Sequence, residues 1–310
     1  MAVVMGMPPA DREAIFNRVL ELTRGGAHQE VVDLCSGLQD TIAADAGILS
    51  LWGMACFHLE RIGAAAELFR RALDAAPEDR QIRHNLSVAL VRSGRAEEAV
   101  AMFATRAAPW DGRAEDSLPV PTLDAISEDY DGNPLHQYFS QRLLSLYQGA
   151  FPGRRLRRVL ELGVGTGLLG TRLPASATTV TGIELSPAMI AKARERKIYD
   201  QLVEGRLPGV LETLDGPFES ILSSCVMCYF ADLEPFFRHA ARLLTADGAF
   251  LFSVDPLDDA GEIGVTGPGE YAHSRPYLRR VAEASGFRTV AMEIDVHRGA
   301  PGFWCAFKKG

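Results

Sequence analysis

The chain lacks the features that would export it or hold it in a membrane. No apolar run reaches the roughly 18 residues a spanning helix needs. The opening stretch, residues 1–9, is apolar but short, has no basic residue, and runs into Pro8 and Pro9, so it does not read as a signal peptide. Cysteine is scarce and odd in number. Cys35, Cys56, Cys225, Cys228 and Cys305 are scattered through apolar stretches, which argues against a disulfide framework and for free thiols in a reducing compartment. Positive charge is short as well: 32 Lys and Arg face 40 Asp and Glu, a net charge of −8. A surface of that sign repels phosphate backbones. Cys225 and Cys228 have metal-like spacing, but two further ligands are missing. The expectation is a cytoplasmic protein with no nucleic-acid partner, no membrane partner and no metal.

What is present divides into two halves. The 310 residues, 47% hydrophobic and 23% charged, suffice for two globular domains. Residues 12–112 read as helix after helix, and one segment repeats. Ala46–Asp79 carries Trp52-Gly53, Ala65, Phe69, Ala72 and Pro77: small residues where two helices cross, a large one where they pack on the next unit, and a proline to end the pair. A shift of about 34 residues lands on Leu86-Ser87, Ala99 and Phe103, with Gly94 at the turn. The opposite shift lands on Val19, Val31 and Cys35, with Gly25-Gly26 at the turn. This pattern resembles the tetratricopeptide repeat. Pro109, Trp110, Gly112, Pro119 and Pro121 then break helix. They place a linker at 113–122, between an all-α repeat domain at 10–112 and a second domain at 123–310.

From Leu156 onward short apolar strands alternate with helices, as in a parallel sheet. Strands are expected near 157–162, 178–183, 200–203, 218–226, 248–254, 287–296 and 302–308, and helices near 167–173, 187–197, 207–213, 232–244 and 274–285. The fold class is α/β: a Rossmann-like, doubly wound sheet of seven strands with an antiparallel last strand.

The sharpest local signal is Val159-Leu160-Glu161-Leu162-Gly163-Val164-Gly165-Thr166-Gly167, a strand running into a loop with glycine at every second position. Such glycines let the backbone turn sharply and approach a ligand closely. A dinucleotide loop would want Gly-x-Gly-x-x-Gly, but Leu168 fills the third-glycine position. Glu184 ends the next strand, about 20 residues on, where a carboxylate can accept from both ribose hydroxyls. Glu161 adds an acid beside the loop, which would repel a pyrophosphate and attract an ammonium. Together the two acids favour S-adenosylmethionine over a nicotinamide dinucleotide.

The run from Leu156 to about Lys309 resembles the class I S-adenosylmethionine-dependent methyltransferases, and within them a bacterial branch with N-terminal tetratricopeptide repeats. The matching stretches are Glu161–Gly167, Gly182–Met189, Lys192–Arg196, Tyr229–Pro235 and Tyr271–Ser274. The resemblance implies that Glu161, Gly163 and Gly165 hold the methionine part, Glu184 the ribose, and that Met189 borders the adenine. Gly167, Leu185, Gly205, Arg206, Cys225 and Tyr130 complete the expected cofactor set. Gly205-Arg206 stands where such enzymes usually carry Gly-Asp, with Glu204 as a possible substitute, and Cys225 stands where an aspartate is usual.

On the acceptor side, sites in open α/β sheets lie beyond the carboxyl ends of the strands. That points to Cys225, Tyr229 and Phe230, and to Asp255. Tyr229, Tyr138 and Arg298 are the expected substrate contacts. The Gly-rich segment Gly261–Tyr271 reads as a loop that folds over the site, with His273 the preferred base and Tyr271 beside it. Tyr130, His136, Tyr138 and Phe139 read either as a lid or as core. The expected activity is methyl transfer to a small-molecule or peptide acceptor at oxygen or nitrogen, with the repeats recruiting a protein partner, mediating self-association or shaping the acceptor site. The alternative is a binding protein of the same fold with reduced catalysis, acting through its repeats.

Overall fold

Six helices open the chain: α1 (Pro9–Arg24), α2 (His28–Gly37), α3 (Ala46–His58), α4 (Ile62–Ala75), α5 (Arg80–Arg92) and α6 (Ala96–Ala104). The computed structural model describes residues 9–104, 107–113 and 120–310. Its contacts divide the chain into two compact units, Met1–Ala99 and Val100–Gly310. Of the expected linker, residues 114–119 lie outside the described residues.

In the first unit α3 and α5 begin at Ala46 and Arg80, and α4 and α6 at Ile62 and Ala96, the shift expected of a repeat. Local chemistry starts the helices. Asp45 accepts from the Ile48 N–H at 3.0 Å, and Asp79 accepts from Gln81 and Ile82, each satisfying amides that a helix leaves unpaired. The small-residue slots are real: a Cβ added to Gly53 would lie 2.7 Å from the Phe69 ring. Ala65 and Ala72 are fully buried beside it.

The second unit is built on a sheet. Its central strands are β2 (Arg158–Leu162), β3 (Thr179–Glu184), β4 (Gln201–Glu204), β5 (Phe218–Ser223), β6 (Leu244–Pro256), β9 (Phe287–His297) and β10 (Ala300–Lys309). They lie in the order β4-β3-β2-β5-β6-β10-β9. All pairings are parallel except those of β10, which runs antiparallel to both neighbours. Both faces are covered, so the strands bury side chains on both sides. On β10, Phe303, Cys305 and Phe307 join one core and Trp304 and Ala306 the other. The helices are α7 (Val120–Ile126), α8 (Pro134–Ala150), α9 (Pro187–Glu195), α10 (Glu234–Leu243) and α11 (Arg275–Ala284).

The structure departs from expectation in three places. The Gly-rich segment is not an open loop. It forms the hairpin β7 (Ile263–Gly267) and β8 (Glu270–His273), held to the end of β6 by the pairs Asp255–Ala272 and Pro256–His273. The two-residue strand β1 (Ala108–Pro109) pairs with β7, making ten described strands in all. The helix expected near 207–213 is only a 3-10 helix at Gly209–Thr213, and the one expected after the glycine loop is only a 3-10 turn at Gly170–Arg172. Gly167 and Gly170 within so short a run cost more helix propensity than it can recover.

Candidate active site

The carboxyl ends of β2, β3, β4 and β5 open onto a cavity of about 360 Å³, inside the range of small-ligand sites. The loop after β2 forms one wall. Gly163, Gly165 and Gly167 all have positive φ, at 69°, 55° and 83°. Gly163 is needed for packing too, since a Cβ there would sit 2.4 Å from Val226. At Gly165 a Cβ would meet only Tyr130, at 3.9 Å, so this glycine leaves space inside the cavity.

Glu184 ties that loop to α9. Its Oε2 accepts from the Gly165 N–H, and its Oε1 from the N–H groups of Leu185 and Ser186, each at 2.8 Å. A carboxylate offers about four acceptor sites. Three are used, leaving one on Oε2. Ser186 caps α9 by accepting from the Met189 N–H at 3.1 Å. Of the expected site residues, Tyr130, Gly163, Gly165, Glu184, Leu185, Met189, Gly205, Cys225, Tyr229 and Arg298 all border this one cavity.

The other expected residues do not. Glu161 is buried behind the wall, its carboxyl receiving the Tyr199 hydroxyl at 2.8 Å. Burial pushes it up to about 8, and the charge of Glu184 adds to the effect, although the Tyr199 bond works the other way. A largely neutral acid, closed off by a ring, is not placed to meet an ammonium. Gly182 explains the arrangement: it lies beside Glu161 on β3, and a Cβ there would be 2.9 Å from the Tyr199 ring. Gly167 turns toward α9, where a Cβ would meet Arg196 and Tyr199 at 3.1 Å. Arg206 and Glu204 are exposed and off the cavity wall.

The acceptor-side expectations need the larger correction. His273 and Tyr271 lie on β8, both buried and away from the cavity. His273 places its Nε2 2.9 Å from the Ala231 carbonyl, and burial pushes the ring down to about 4. A base must reach the proton it removes, and this imidazole is sealed in packing. Tyr138 is half-buried and engaged with Asp295, also off the cavity. Arg298 does border it, with φ +49°. Its guanidinium sits 3.2 Å from the Cys228 sulfur and 3.3 Å from Asp255, pairs with Glu270, and lies over the Tyr229 ring.

Several residues on the wall or packed behind it escaped sequence reasoning. Glu270 and Ser224 border the cavity, as do Leu123 and Ile126. Asp131 binds the Thr166 hydroxyl at 2.5 Å and pairs with Arg196. His297 is fully buried and bonds Asp255 through Nδ1 at 2.7 Å. Burial works to lower this imidazole, yet Cys225 and Asp255 together push it up to about 10. Asp255 in turn is held below the usual carboxylate range, burial being outweighed by His297 and Arg298. Among the described residues no group of three His, Cys, Asp or Glu is arranged to hold a metal ion, and no helix is long and apolar enough to cross a membrane.

Residues 160–252, which include the glycine loop, Glu184 and Cys225, match the family model described as a methyltransferase domain, and residues 57–109 match a tetratricopeptide repeat model. The chain carries a methyltransferase domain. Among its curated relatives is the malonyl-[acyl-carrier protein] O-methyltransferase of Geobacter sulfurreducens, 27% identical over 207 residues, or 58% of this chain and 75% of that protein. Nodulation protein S of Azorhizobium caulinodans is 28% identical over 142 residues, 43% of this chain and 69% of that one. Among solved structures, the Burkholderia thailandensis 1,6-didemethyltoxoflavin-N1-methyltransferase, with bound 1,6-didemethyltoxoflavin and S-adenosylhomocysteine, covers 66% of this chain and 94% of its own at 20% identity and a TM-score of 0.48. The methyltransferase domain thus holds the cavity, and the repeats precede it.

Proposed function

We propose that this methyltransferase takes S-adenosylmethionine as donor in the cavity between the glycine loop and Glu184, and passes the methyl group to a small-molecule or peptide acceptor at oxygen or nitrogen. The observation that carries this reading is the Glu184 carboxylate. It is fixed by three backbone N–H groups, keeps one acceptor site, and shares a wall with Gly163, Gly165, Met189 and Gly205. A ribose hydroxyl suits that acceptor. Met189 and Leu207 offer apolar flanks for a flat base. The charges also suit this donor: Glu184 and Glu270 border the cavity, and Arg298 is already paired with Glu270 and Asp255. A pyrophosphate has no free cation there among the described residues, whereas a sulfonium needs none.

The bound donor supplies an electrophilic methyl on sulfur. The protein's part is to hold the two reactants in contact, and positioning of that kind can lower a barrier by about 7–11 kcal/mol. Tyr130, Phe139 and Phe230 line the cavity and exclude water from it. Tyr229 and Arg298 form its acceptor side. The tetratricopeptide repeats recruit a protein partner or a second copy of the chain, and the enzyme works in the cytoplasm. Calorimetry on the full chain with S-adenosylmethionine and S-adenosylhomocysteine tests the donor assignment. Saturable binding of both is expected, and heat from neither would overturn it.

A further inference from the structure

His136 stands in the first turn of α8 and borders the cavity. Asn133 starts that helix by accepting from the Leu135 N–H at 2.9 Å. Helical side chains lean toward the N-terminus, so the ring swings back onto the Tyr130–Gly132 turn. There it stacks on Tyr130, with centroids 3.7 Å apart and planes 20° from parallel, and Nδ1 lies 2.7 Å from the Tyr130 carbonyl. A carbonyl only accepts, so Nδ1 carries the proton. In the neutral ring the lone pair is then on Nε2. That nitrogen has no partner among the described residues, and it is not one of the buried polar atoms left without one. It is open to a small molecule.

Among the described residues no other group on the cavity wall is as free to take a proton. Glu184 is tied to three backbone N–H groups, and Glu270 is the ion partner of Arg298. Cys225 receives the Ser253 hydroxyl on its sulfur at 3.9 Å. Burial raises the hydroxyls of Tyr130 and Tyr229, so both stay protonated. The same wall selects what lies against His136. Tyr130, Phe139, Tyr229 and Phe230 offer ring faces and edges, which suit a flat aromatic ligand. The charges favour a neutral one. Glu184 and Glu270 repel a carboxylate or a phosphate, and Arg298 is already paired with Glu270 and Asp255.

Resting on the donor assignment above, we propose that His136 Nε2 is the catalytic base of the methyl transfer, and that the acceptor is a phenol-like hydroxyl on a flat ring. The acceptor's O–H bond breaks and its proton passes to Nε2. The oxygen's electron pair forms the new bond to the methyl carbon. The pair of the old carbon–sulfur bond stays on sulfur, and the positive charge that began there ends on the imidazole, which returns its proton to water. No oxidant or reductant is needed. Tyr130 serves this base through its backbone, since its carbonyl fixes the tautomer that leaves Nε2 bare. A base so placed typically contributes about 10²–10⁴-fold to the rate.

The test reads the proton rather than turnover. 4-Nitrophenol is yellow only as its phenolate, and at pH 6 the free probe is mostly neutral. The full chain is titrated with it, alone and with S-adenosylhomocysteine. A saturable phenolate signal is expected, at least threefold above that of the free probe. His136→Gln keeps a donor for the Tyr130 carbonyl but offers no base. It should return the signal to that of the free probe while S-adenosylhomocysteine affinity stays within twofold. Should that variant not fold, the wild-type chain is treated with diethyl pyrocarbonate, and loss of the signal should track modification of His136 in peptide mass spectra. No signal in the wild type, an undiminished one in folded His136→Gln, or one that survives modification of His136 overturns the proposal. Calorimetric heat from S-adenosylhomocysteine without phenolate overturns the base and leaves the donor assignment standing. No heat overturns the donor assignment, and with it the transfer that His136 would serve.

Discussion

Tyr199 donates its hydroxyl to Glu161 at 2.8 Å, and this pair fills the space that Gly170 and Gly182 leave open beside the glycine loop. The acid is therefore part of the packing under the cofactor loop. Its ordinary value of 4.5 rises to about 8, so the folded chain prefers it protonated.

That preference has a sign that can be measured. As pH rises from about 4.5 to 8, the unfolded chain releases this proton before the folded one does, so stability falls across that window. Glu161→Gln keeps an acceptor for Tyr199 and removes the ionisation. The variant should be more stable than the parent at pH 8 by about 1–3 kcal/mol and nearly equal to it at pH 5, as read by urea unfolding. Its affinity for S-adenosylmethionine should stay within about threefold of the parent, since lost hydrogen bonds at the ligand would cost more. A tenfold loss would return Glu161 to the ligand.

His273 predicts the opposite slope. Burial lowers it from 6.5 to about 4, so the unfolded state binds its proton first as pH falls. Stability is complete above about 6.5 and declines between 6.5 and 4. His273→Gln should flatten that decline. In methyl transfer it should leave the pH profile unmoved, because the ring lies outside the cavity. A profile that loses a limb with this substitution would restore His273 as the base.

The strands were legible to within a few residues wherever apolar runs were bounded by turn residues, as at β2, β3, β4 and β9. The hairpin β7–β8 was not, because Gly261, Gly264, Gly267 and Gly269 interrupt its alternation, and a strand rich in glycine looks like a loop. The glycine loop and Glu184 were legible because they are close in sequence and each follows a recognisable strand. The burial of Glu161 was hidden, since it depends on Gly182 and Tyr199 from other elements. The same holds for His297 and Asp255: the sheet brings two strand ends together across β10, and no local spacing announces it.

The repeat fold makes its own prediction. Gly53→Ala places a methyl group 2.7 Å from the Phe69 ring, well inside contact distance, and overpacking of that kind costs about 1–3 kcal/mol. Phe69→Leu alone should also destabilise, by about 1 kcal/mol or more. In the double variant the smaller side chain admits the methyl, so the two losses should fall short of additive, a coupling a double-mutant cycle would read. Strict additivity would mean that the two helices do not cross at this point.

Glu184→Ala should weaken S-adenosylmethionine binding by about 1–3 kcal/mol, or roughly 5- to 150-fold, by leaving a hydroxyl without its charged acceptor. The N–H groups of Gly165, Leu185 and Ser186 lose their partner as well, so the loop loosens. Glu184→Gln keeps part of both roles and should lose less. Equal affinities for all three proteins, measured calorimetrically, would remove this residue from the donor site.

The last prediction concerns what holds Tyr130 over the cavity. The turn Tyr130–Gly132 is pinned through Asp131, which accepts from the Thr166 hydroxyl at 2.5 Å and pairs with Arg196. Arg196 also donates to the Thr166 carbonyl at 2.6 Å. Tyr130 stacks on His136 with ring centroids 3.7 Å apart, and His136 Nδ1 sits 2.7 Å from the Tyr130 carbonyl. The segment is thus locked internally, and Asp131 is its link to the glycine loop. Asp131 is partly exposed, so its ion pair is screened and worth little on its own; the Thr166 bond and the order it imposes carry the effect. Asp131→Ala should weaken donor binding by about 0.5–1.5 kcal/mol, raise amide exchange across residues 130–137, and leave global stability nearly unchanged. Asp131→Asn retains the bond to Thr166 and should recover most of the affinity at high salt, where the Arg196 pair contributes least. If exchange rises while affinity holds, Tyr130 is a bystander and the cavity closes without it.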